Sequence, residues 1–306
     1  IQLPGFLTKE GWISGRDLTY APRYSSIIPM MPGDAGYYKG TKELIQMSKG
    51  QKNNANLGLS RDIEQYTAVI LTYNRDGALN NTMKKLNGCK HLNKVVVIWN
   101  NLNRTIPETW TQIHVPIEFV LSPKNDLNIR FAAFDNIENE AILSLDDDAN
   151  FDCNQIEFGF RAWRESRDSS VGFPNRYTYM KNGKSKYGHG QQCEYNLVLT
   201  GLTFLHKEYL TEYYHGQHPA ILEHTASIFN CEDIGMNYLI AHLSRKSHVY
   251  VTTKLGIGQK VKGLSTGGSH YNKRNNCIEI FNRIYGYNPL LSSQMTVHPI
   301  SDKCVR

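Results

Sequence analysis

Residues 141–152 read AILSLDDDANFD, a short apolar segment followed directly by the three aspartates Asp146, Asp147 and Asp148. The apolar part has the length and composition of a buried strand. Adjacent ionised carboxylates repel one another, so they need a positive partner. Open α/β sheets bind ligands at the carboxyl ends of their strands, and a magnesium or manganese ion there takes one or two carboxylates and completes its coordination with phosphate oxygens. The stretch therefore predicts an α/β fold with a metal and nucleotide site.

Two other interpretations of the aspartates, a calcium-binding loop and helix capping, are weaker. Side-chain oxygens at Asp146, Asp148, Asn150, Asp152 and Glu157 nearly match the ligand spacing of a calcium-binding EF-hand loop. However, Phe151 stands where that loop needs a glycine, and the preceding segment is suited to a strand and not to an entering helix. In the second alternative, the aspartates cap the helix that begins near Asn154. That explains one acidic residue but not three, and Asn154 and Glu157 already supply a capping box for this helix.

Short apolar segments of the same kind recur along the chain after Tyr66. They are TAVILT (67–72), KVVVIW (94–99), IEFVL (117–121) and AILSL (141–145). Helix-compatible stretches such as ALNNTMKKL (78–86) separate them. This alternation predicts a mostly parallel sheet with helices on both faces. Residues 1–65 have many turn-forming residues and little periodicity, so they are interpreted as a leader or linker before a domain at 66–306.

Three later segments complete the predicted elements. Residues 155–166 form a helix whose Ile156, Phe160 and Trp163, followed by Arg167, lie on one face, and this stripe is interpreted as core. NLVLTGLTFL (196–205) is predicted to be one buried strand. EDIGMNYLIAHL (232–243) is predicted to be a helix.

Composition excludes several classes of protein. The 306 residues are 40% hydrophobic and 11% aromatic, which is typical of a globular protein. The formal charge of +6 comes from dispersed Lys and Arg residues, so no nucleic-acid partner is indicated, whereas an acidic polymer or nucleotide would suit it. The chain contains no apolar run long enough to span a bilayer, and it starts at Ile, so an anchor or partner domain upstream is expected.

Cysteines and glycosylation sequons indicate the compartment. Six cysteines without a C-x-x-C pair argue against zinc. Sequons at Asn80 and Asn103, together with the disulfide option, favour the secretory pathway.

Polar residues follow the ends of the predicted strands. They are Asn74 and Arg75 after the first strand, Asn100 and Asn101 after the second, and Asn125 and Arg130 after the third. Asparagine offers a donor and an acceptor to a uracil edge or ribose, and arginine can bind phosphate with two donors. Turn formation is the alternative for each asparagine. Because the strand ends agree, a nucleotide pocket is predicted.

Two further segments supply charged side chains. In NCEDIGMNYL (230–239), Glu232 and Asp233 open a helix, where they either complement its dipole or meet a sugar whose leaving group is diphosphate. In GLSTGGSHYNKRNNC (263–277), glycines accompany His270, Lys273 and Arg274, as expected of a lid closing over phosphates. A solvated basic loop is the alternative.

Together these segments resemble a known family. VILTYNR, VVVIWNN, LSLDDDA, NCEDIGMNYL and CIEIFNRIYGYNPLL are similar, in this order, to the family 64 glycosyltransferase domain of the exostosin and exostosin-like proteins, over about residues 66 to 300. RAWRESRDSSVGFPNRY and EYNLVLTG resemble the large exostosin-like members in particular. In those proteins another glycosyltransferase domain comes first, and this chain lacks it.

The resemblance implies a GT-A fold, the Rossmann-like fold of nucleotide-diphospho-sugar transferases. It also implies retaining transfer of N-acetylglucosamine, in α-1,4 linkage, from UDP-GlcNAc to a terminal glucuronic acid of heparan sulfate or its linkage region, in the Golgi or endoplasmic reticulum lumen. Carried over by position, the contacts would be Arg75, Asn100, Asn125 and Arg130 to UDP, Asp146 and Asp147 to ribose and sugar, and Asp148 to manganese. Asp233 would lie at the reacting sugar and Arg274 at the departing diphosphate, on opposite sides of the bond that breaks. One departure is Leu71, where some relatives carry Gln beside the uracil.

The resemblance also implies a Cys231–Cys277 disulfide, and a Cys193–Cys304 disulfide is predicted with less family support. Cys89 and Cys153 are expected to be buried thiols. A rival function is a weakly active carbohydrate-binding scaffold that forms an oligomer with itself or with another exostosin chain. Phosphoryl transfer is a third, and the sequence lacks a P-loop for it.

Overall fold

An eight-stranded sheet forms the centre of the protein. The structure, a computed structural model, describes residues 6–8, 11–13, 64–132, 137–189, 193–252 and 270–299. Its strands are β1 Phe6–Thr8, β2 Gly11–Ile13, β3 Tyr66–Thr72, β4 Leu92–Trp99, β5 Ile117–Leu121, β6 Ala141–Asp146, β7 Val171–Gly172, β8 Asn175–Lys181, β9 Lys184–Gly188, β10 Leu197–Val198, β11 Leu202–His206, β12 Val249–Val251 and β13 Thr296–Val297. Its α-helices are α1 Asp76–Leu86, α2 Cys153–Arg164, α3 Glu208–Thr211, α4 Pro219–Ile228, α5 Glu232–Ser244 and α6 His270–Tyr285, with a 3-10 helix at Leu127–Phe131 and a π-helix at Glu212–Gly216.

The strand order of the central sheet is β13-β12-β7-β11-β6-β3-β4-β5. Only β11 runs antiparallel to its neighbours, β6 and β7, and the other pairs of this sheet are parallel. The predicted mostly parallel sheet is therefore confirmed. Chain order reverses at β3, because β4 lies on one side of it and β6 on the other. Open α/β sheets bind ligands at such a switch point.

Helices cover both faces of this sheet, as predicted. Successive residues of a strand point to opposite faces. On β3, Ile70 packs in a cluster with residues of α1 and α2, among them Met83 and Phe160. Its neighbour Val69 packs in a second cluster that contains Tyr209 and Met236. The predicted helix stripe of Ile156, Phe160 and Trp163 is fully buried, which confirms that it is core.

The predicted strand at 196–205 is wrong as one element. Leu197–Val198 pairs with β8 in a separate three-stranded antiparallel sheet, β10-β8-β9, whereas Leu202–His206 belongs to the central sheet. The chain turns at Thr200 and Gly201. Thr200 and Gly201 stand at this break, but the segments on both sides are apolar and buried, so periodicity favours a single strand.

The start of α2 corrects both minor interpretations of the aspartates. Asp152 caps this helix and forms a capping box with Gln155, so the predicted pair of Asn154 and Glu157 is wrong. Glu157 instead pairs with His91. A strand enters the loop where an EF-hand needs a helix, so the calcium-loop alternative is also wrong.

Two disulfides connect the described elements. Cys231–Cys277 is present, as predicted. Cys89–Cys153 is present too, so the expectation of buried thiols at these positions was wrong; the loop after α1 meets the first residue of α2 with 5.0 Å between the Cα atoms. Cys193 is exposed and bonds to no cysteine among the described residues. Its predicted partner Cys304 lies outside those residues, so this pairing stays a prediction.

Two predicted segments fall largely outside the described residues. Of the leader segment 1–65, the structure describes the antiparallel pair of β1 and β2, and residues 64 and 65. Of the predicted lid, residues 263–269 lie outside. His270, Lys273 and Arg274 belong to the first turns of α6, so this part of the lid is helical and not a flexible loop. Among the described helices, none combines the length and apolarity that a membrane crossing requires.

Candidate active site

The carboxyl ends of β3 and β6 bring an arginine against the aspartates. Arg75, just before α1, pairs through one guanidinium nitrogen with Asp147 at 2.7 Å and through another with Asp148. The Thr72 hydroxyl donates to Asp147 Oδ2 at 2.9 Å, and the Thr82 hydroxyl donates to the Asp147 carbonyl at 2.8 Å. Burial raises the pKa of Asp147 to about 6, although Arg75 and Thr72 oppose the shift. Arg75 is therefore the positively charged partner that was predicted for the three adjacent aspartates.

Asp146 points the other way, toward Arg130. Arg130 Nη2 lies 2.7 Å from Asp146 Oδ1, and Arg130 Nε lies 4.0 Å from Glu232 Oε1. Burial acts to lower the pKa of Arg130, but Asp146 and Glu232 outweigh it and hold that pKa above its ordinary value. A Cβ added to Gly201 would lie 2.3 Å from Asp146 Oδ2, so Gly201 makes room for this carboxylate. Arg130 thus connects Asp146, at the end of β6, to Glu232, at the start of α5.

The predicted asparagines lie beside this cluster. Asn100, which is buried, follows β4 and donates from Nδ2 to Asn125 Oδ1 at 2.9 Å. Asn101 donates to the Asn74 side chain. Asn74 has a φ of 56°, in the left-handed region that asparagine tolerates better than most residues. These asparagines therefore form turns at the strand ends and also provide polar groups at the edge of the predicted pocket.

Glu232 and Asp233 begin α5, and the structure buries both. Asp233 Oδ2 accepts a hydrogen bond of 2.8 Å from Arg274 Nη2. Burial, reinforced by the neighbouring Asp233 charge, raises the pKa of Glu232 to about 7. Since the helix dipole alone would favour the charged form at this end, burial outweighs it here.

Arg274 is packed on several sides. Its Nε donates to His270 Nε2 at 3.0 Å, and its guanidinium carbon lies 4.9 Å from the centre of the Tyr187 ring. His270 Nδ1 lies 3.2 Å from Asn230 Nδ2. The structure therefore brings Asp233 and Arg274 into direct contact. Their placement on opposite sides of a breaking bond stays a prediction.

All three arginines keep one unused donor. Arg75 Nε, Arg130 Nε and Arg274 Nη1 are buried, and none has a hydrogen-bond acceptor among the described residues. Buried donors are normally satisfied, so such groups need an explanation. The carboxylates between them make one continuous network, because Asp146, Glu232 and Asp233 all favour the charged form of Arg130. An anionic ligand with several oxygens, such as a diphosphate, would supply the missing acceptors.

Comparison with known proteins now identifies the domain. Residues 66–301 match the profile described as the Glycosyl transferase family 64 domain, which is more than half of the chain. The chain belongs to glycosyltransferase family 64. The Exostosin-like-3 homolog of Caenorhabditis elegans is 42% identical over 275 residues, covering 88% of this chain and 34% of that protein.

Two further relatives agree with this family. Exostosin-2 of Homo sapiens is 32% identical over 244 residues, 77% of this chain and 34% of its own length. Exostosin-1 of Mus musculus is 28% identical over 293 residues, 91% of this chain and 36% of its own length. The chain therefore spans about a third of the length of these curated relatives.

The family 64 domain offers a divalent cation a limited donor set. No group of three His, Cys, Asp or Glu side chains that could hold a metal occurs in the described part of the chain. The network nevertheless contains five acidic side chains, three from the aspartate run and two from α5, against three guanidinium groups. Asp148, about a quarter exposed, fits a cation that takes one protein carboxylate and otherwise phosphate and water.

Several contact residues of the candidate site were not predicted, among them Thr72, Thr82, Gly201 and Tyr187. Thr72 closes an apolar strand, and a hydroxyl at that position could have been recognised as pocket-facing. Gly201 interrupts an apolar run, which is the signal of close backbone approach. Nothing in the sequence singles out Tyr187. Leu71, the noted departure from relatives, is buried in the core.

The predicted glycosylation sites differ in their surroundings. Asn103 is exposed in the loop after β4. Asn80 lies half-buried on α1, where its side-chain oxygen accepts a hydrogen bond of 3.1 Å from the Thr111 hydroxyl. Asn103 is therefore the more accessible acceptor.

Proposed function

We propose that this domain is a retaining glycosyltransferase that moves N-acetylglucosamine from UDP-GlcNAc, in α-1,4 linkage, to a terminal glucuronic acid during heparan sulfate biosynthesis. The observation that carries the proposal is a set of three buried arginine donors that have no acceptor among the described residues. They contact five carboxylates, three of them at the end of β6 beside the switch point of the sheet. Family membership supports sugar transfer. The two disulfides suit the lumen of the endoplasmic reticulum or Golgi.

In this proposal the strand ends hold the nucleotide. Asn100 and Asn125 offer amide donors and acceptors to uracil or ribose. Arg75 and Arg130 turn their unused donors toward phosphate, and Asp146 and Asp147 face the ribose and sugar. Asp148 would hold manganese, which supplies positive charge for the diphosphate when bound. Because Arg75 already pairs with Asp148, manganese binding at Asp148 would require Arg75 to release that carboxylate.

The reacting bond is assigned to the Asp233–Arg274 pair. As the sugar–phosphate bond lengthens, positive charge grows on the sugar ring and negative charge on UDP. Asp233 would stabilise the first, while Arg274, through the donor that has no acceptor here, would stabilise the second. The neutral form of Glu232, favoured up to about pH 7, places a hydrogen-bond donor beside them. His270 holds Arg274 in position.

The rival function is a carbohydrate-binding scaffold that assembles with another exostosin chain. Three buried arginine donors that have no acceptor among the described residues, next to five carboxylates, favour a diphosphate site over this alternative. The test is to incubate the purified chain with manganese, UDP-GlcNAc and an acceptor ending in glucuronic acid, and to measure UDP release and product linkage. Transfer of N-acetylglucosamine in α-1,4 linkage is expected, with UDP-glucuronic acid as the negative control donor. Acceptor binding without either UDP release or product would instead establish the scaffold.

A further inference from the structure

The β8–β9 hairpin carries an outward face that the proposed reaction does not use. The strands pair with Tyr179 opposite Lys186 and Lys181 opposite Lys184. Directly opposite residues of an antiparallel pair share one face. This face therefore carries Tyr177, Tyr179, Lys181, Lys184 and Lys186, and these five residues are called the hairpin strip.

The tyrosine end of the strip has a defined geometry. Gly188 lies opposite Tyr177, and a Cβ added there would come within 2.3 Å of the Tyr177 ring. The ring thus occupies the space beside Gly188 that a larger residue would fill. Its centroid is 5.7 Å from that of Tyr179, with 37° between the ring planes, and Tyr179 is 43% exposed. Two neighbouring rings, one of them open to solvent, form a platform on which the apolar face of a sugar can stack.

The lysine end of the strip is positive and uncompensated. Lys181 and Lys184 are exposed and Lys186 is half-buried. No Asp or Glu occurs between residues 175 and 188. Within the described ranges, none of the three lysines has an ion-pair partner. Three like charges close together favour an anionic ligand.

The strip lies on the hairpin whose other face contacts the candidate active site. Tyr187, on the opposite face of the same hairpin, lies under Arg274. Burial raises the pKa of Tyr187, and both Arg274 and Arg176 oppose that shift, so Arg176 also lies near this hydroxyl. Tyr177 is the next residue along β8. From Tyr177 to Lys181 the strand extends about 13 Å at its usual rise per residue.

Helix α6 fixes the hairpin in this position. β9 is an edge strand, and its Ser185 and Tyr187 amides donate to the side chains of Glu279 and Asn275. Arg274 is on the same helix. The strip is therefore held at a constant position relative to Arg274.

We propose that the hairpin strip binds the non-reacting sugars of an acidic polysaccharide acceptor, with the tyrosines stacking on sugar rings and the lysines pairing with carboxylates along the chain. This inference rests on the proposed function, because it extends the acceptor beyond its terminal sugar. The grounds for this occupant are charge complementarity and the position of the strip on the hairpin that contacts Arg274.

The test compares long and short acceptors. A variant with Lys181, Lys184 and Lys186 all changed to Ser should bind a decasaccharide of alternating glucuronic acid and N-acetylglucosamine at least tenfold more weakly by equilibrium titration. Its KM for that decasaccharide should rise similarly, while kcat and the KM for a disaccharide acceptor stay unchanged. Tyr179→Ala should weaken decasaccharide binding as well, without changing the disaccharide. A matched control removes three positive charges elsewhere, at Lys84, Arg161 and Arg283, which are exposed.

Two outcomes would overturn the proposal. The first is decasaccharide affinity in the lysine variant equal to that of the control variant. The second is equally strong binding of polyglutamate, lost equally in the variant, since that would indicate charge attraction without sugar recognition. Titration does not need turnover, so an inactive protein that binds the decasaccharide through the strip would refute the proposed function alone.

Discussion

Asp148 is the residue at which the metal hypothesis can be tested most directly. Asp148→Asn keeps the shape of the side chain but removes the carboxylate charge that a hard cation needs, so manganese-dependent UDP binding and transfer should be nearly abolished. Donor affinity measured by titration with and without manganese checks this. Asp152→Asn is the matched control, because Asp152 is an acid of the same loop whose role is to cap α2. Manganese-dependent UDP binding that survived in Asp148→Asn would show the metal assignment to be wrong.

Asp233 and Arg274 are coupled, so their variants need a readout besides stability. Either Asp233→Asn or Arg274→Gln leaves a buried charge unpaired, at a cost of about 3–5 kcal/mol of stability. Each should also lower turnover about a hundredfold or more, with a smaller change in UDP affinity. Turnover, UDP affinity and thermal unfolding of each single variant are the measurements.

The double variant separates the two roles of this pair. Asp233→Asn combined with Arg274→Gln removes both charges, so it should regain much of the lost stability while staying inactive. Asp168→Asn, which breaks the pair with Lys246 away from the site, is the control for stability loss alone. Turnover restored together with the melting temperature would mean that the pair is purely structural.

At the scale of elements, the Cys231–Cys277 disulfide joins the start of α5 to α6. The two bonded cysteines lie two and three residues from Asp233 and Arg274, respectively. Replacing both cysteines by Ala should therefore disturb the Asp233–Arg274 contact and lower kcat, besides costing stability. The Cys89–Cys153 bond closes a loop of similar length, 64 against 46 residues, so a loop-entropy estimate gives about 4 kcal/mol for either.

That similarity makes the second disulfide a matched control. Cys89→Ala with Cys153→Ala should lower the melting temperature comparably but leave kcat nearly unchanged at a temperature where both variants are folded. Steady-state kinetics and thermal unfolding of both variants provide the measurements. Equal effects on kcat would remove the positioning role of Cys231–Cys277.

The elements that the sequence predicted well are those decided by local patterns. β5 matches its predicted limits, and α5 extends its predicted range by one residue, because apolar composition and length marked both. The break at Thr200 and Gly201 was not predicted. The segments on both sides of it are apolar and buried, so the pattern of residues 196–205 is typical of a single strand. The cap of α2 was displaced by two residues, which is the usual uncertainty of helix ends.

The candidate site was predictable where it follows strand ends and not where it depends on distant contacts. Arg75 and the aspartates lie at the carboxyl ends of β3 and β6, and their meeting follows from the parallel pairing of these strands. Arg130 lies in the 3-10 helix that follows β5. The contact of Asp233 with Arg274 joins positions 41 residues apart. The position of Tyr187 under Arg274 depends on where the hairpin packs, and no local pattern encodes that packing.

For the whole molecule, the buried acid Glu232 makes stability depend on pH. Its pKa is raised by burial from an ordinary value of 4.5 to about 7, so the folded protein keeps a proton that the unfolded chain has released. The free energy of unfolding should therefore fall between about pH 4.5 and pH 7, by an amount on the order of 3 kcal/mol from this group, and level off above.

Denaturant unfolding at several pH values checks this dependence. In Glu232→Gln the side chain is neutral at every pH, so the decrease in the free energy of unfolding that this group causes should be absent. Glu165→Gln, at an exposed position, should leave it unchanged. An identical pH profile in Glu232→Gln and the unaltered protein would contradict the shift.

The contact between α6 and β9 has a consequence for the behaviour of the protein in solution. An edge strand with free amides is a template on which another chain can add a strand and start aggregation. Asn275 and Glu279 occupy the two β9 amides that would otherwise face outward. The helix that carries Arg274 thus also protects the hairpin against intermolecular β-pairing, so damage to α6 would reduce solubility as well as catalysis.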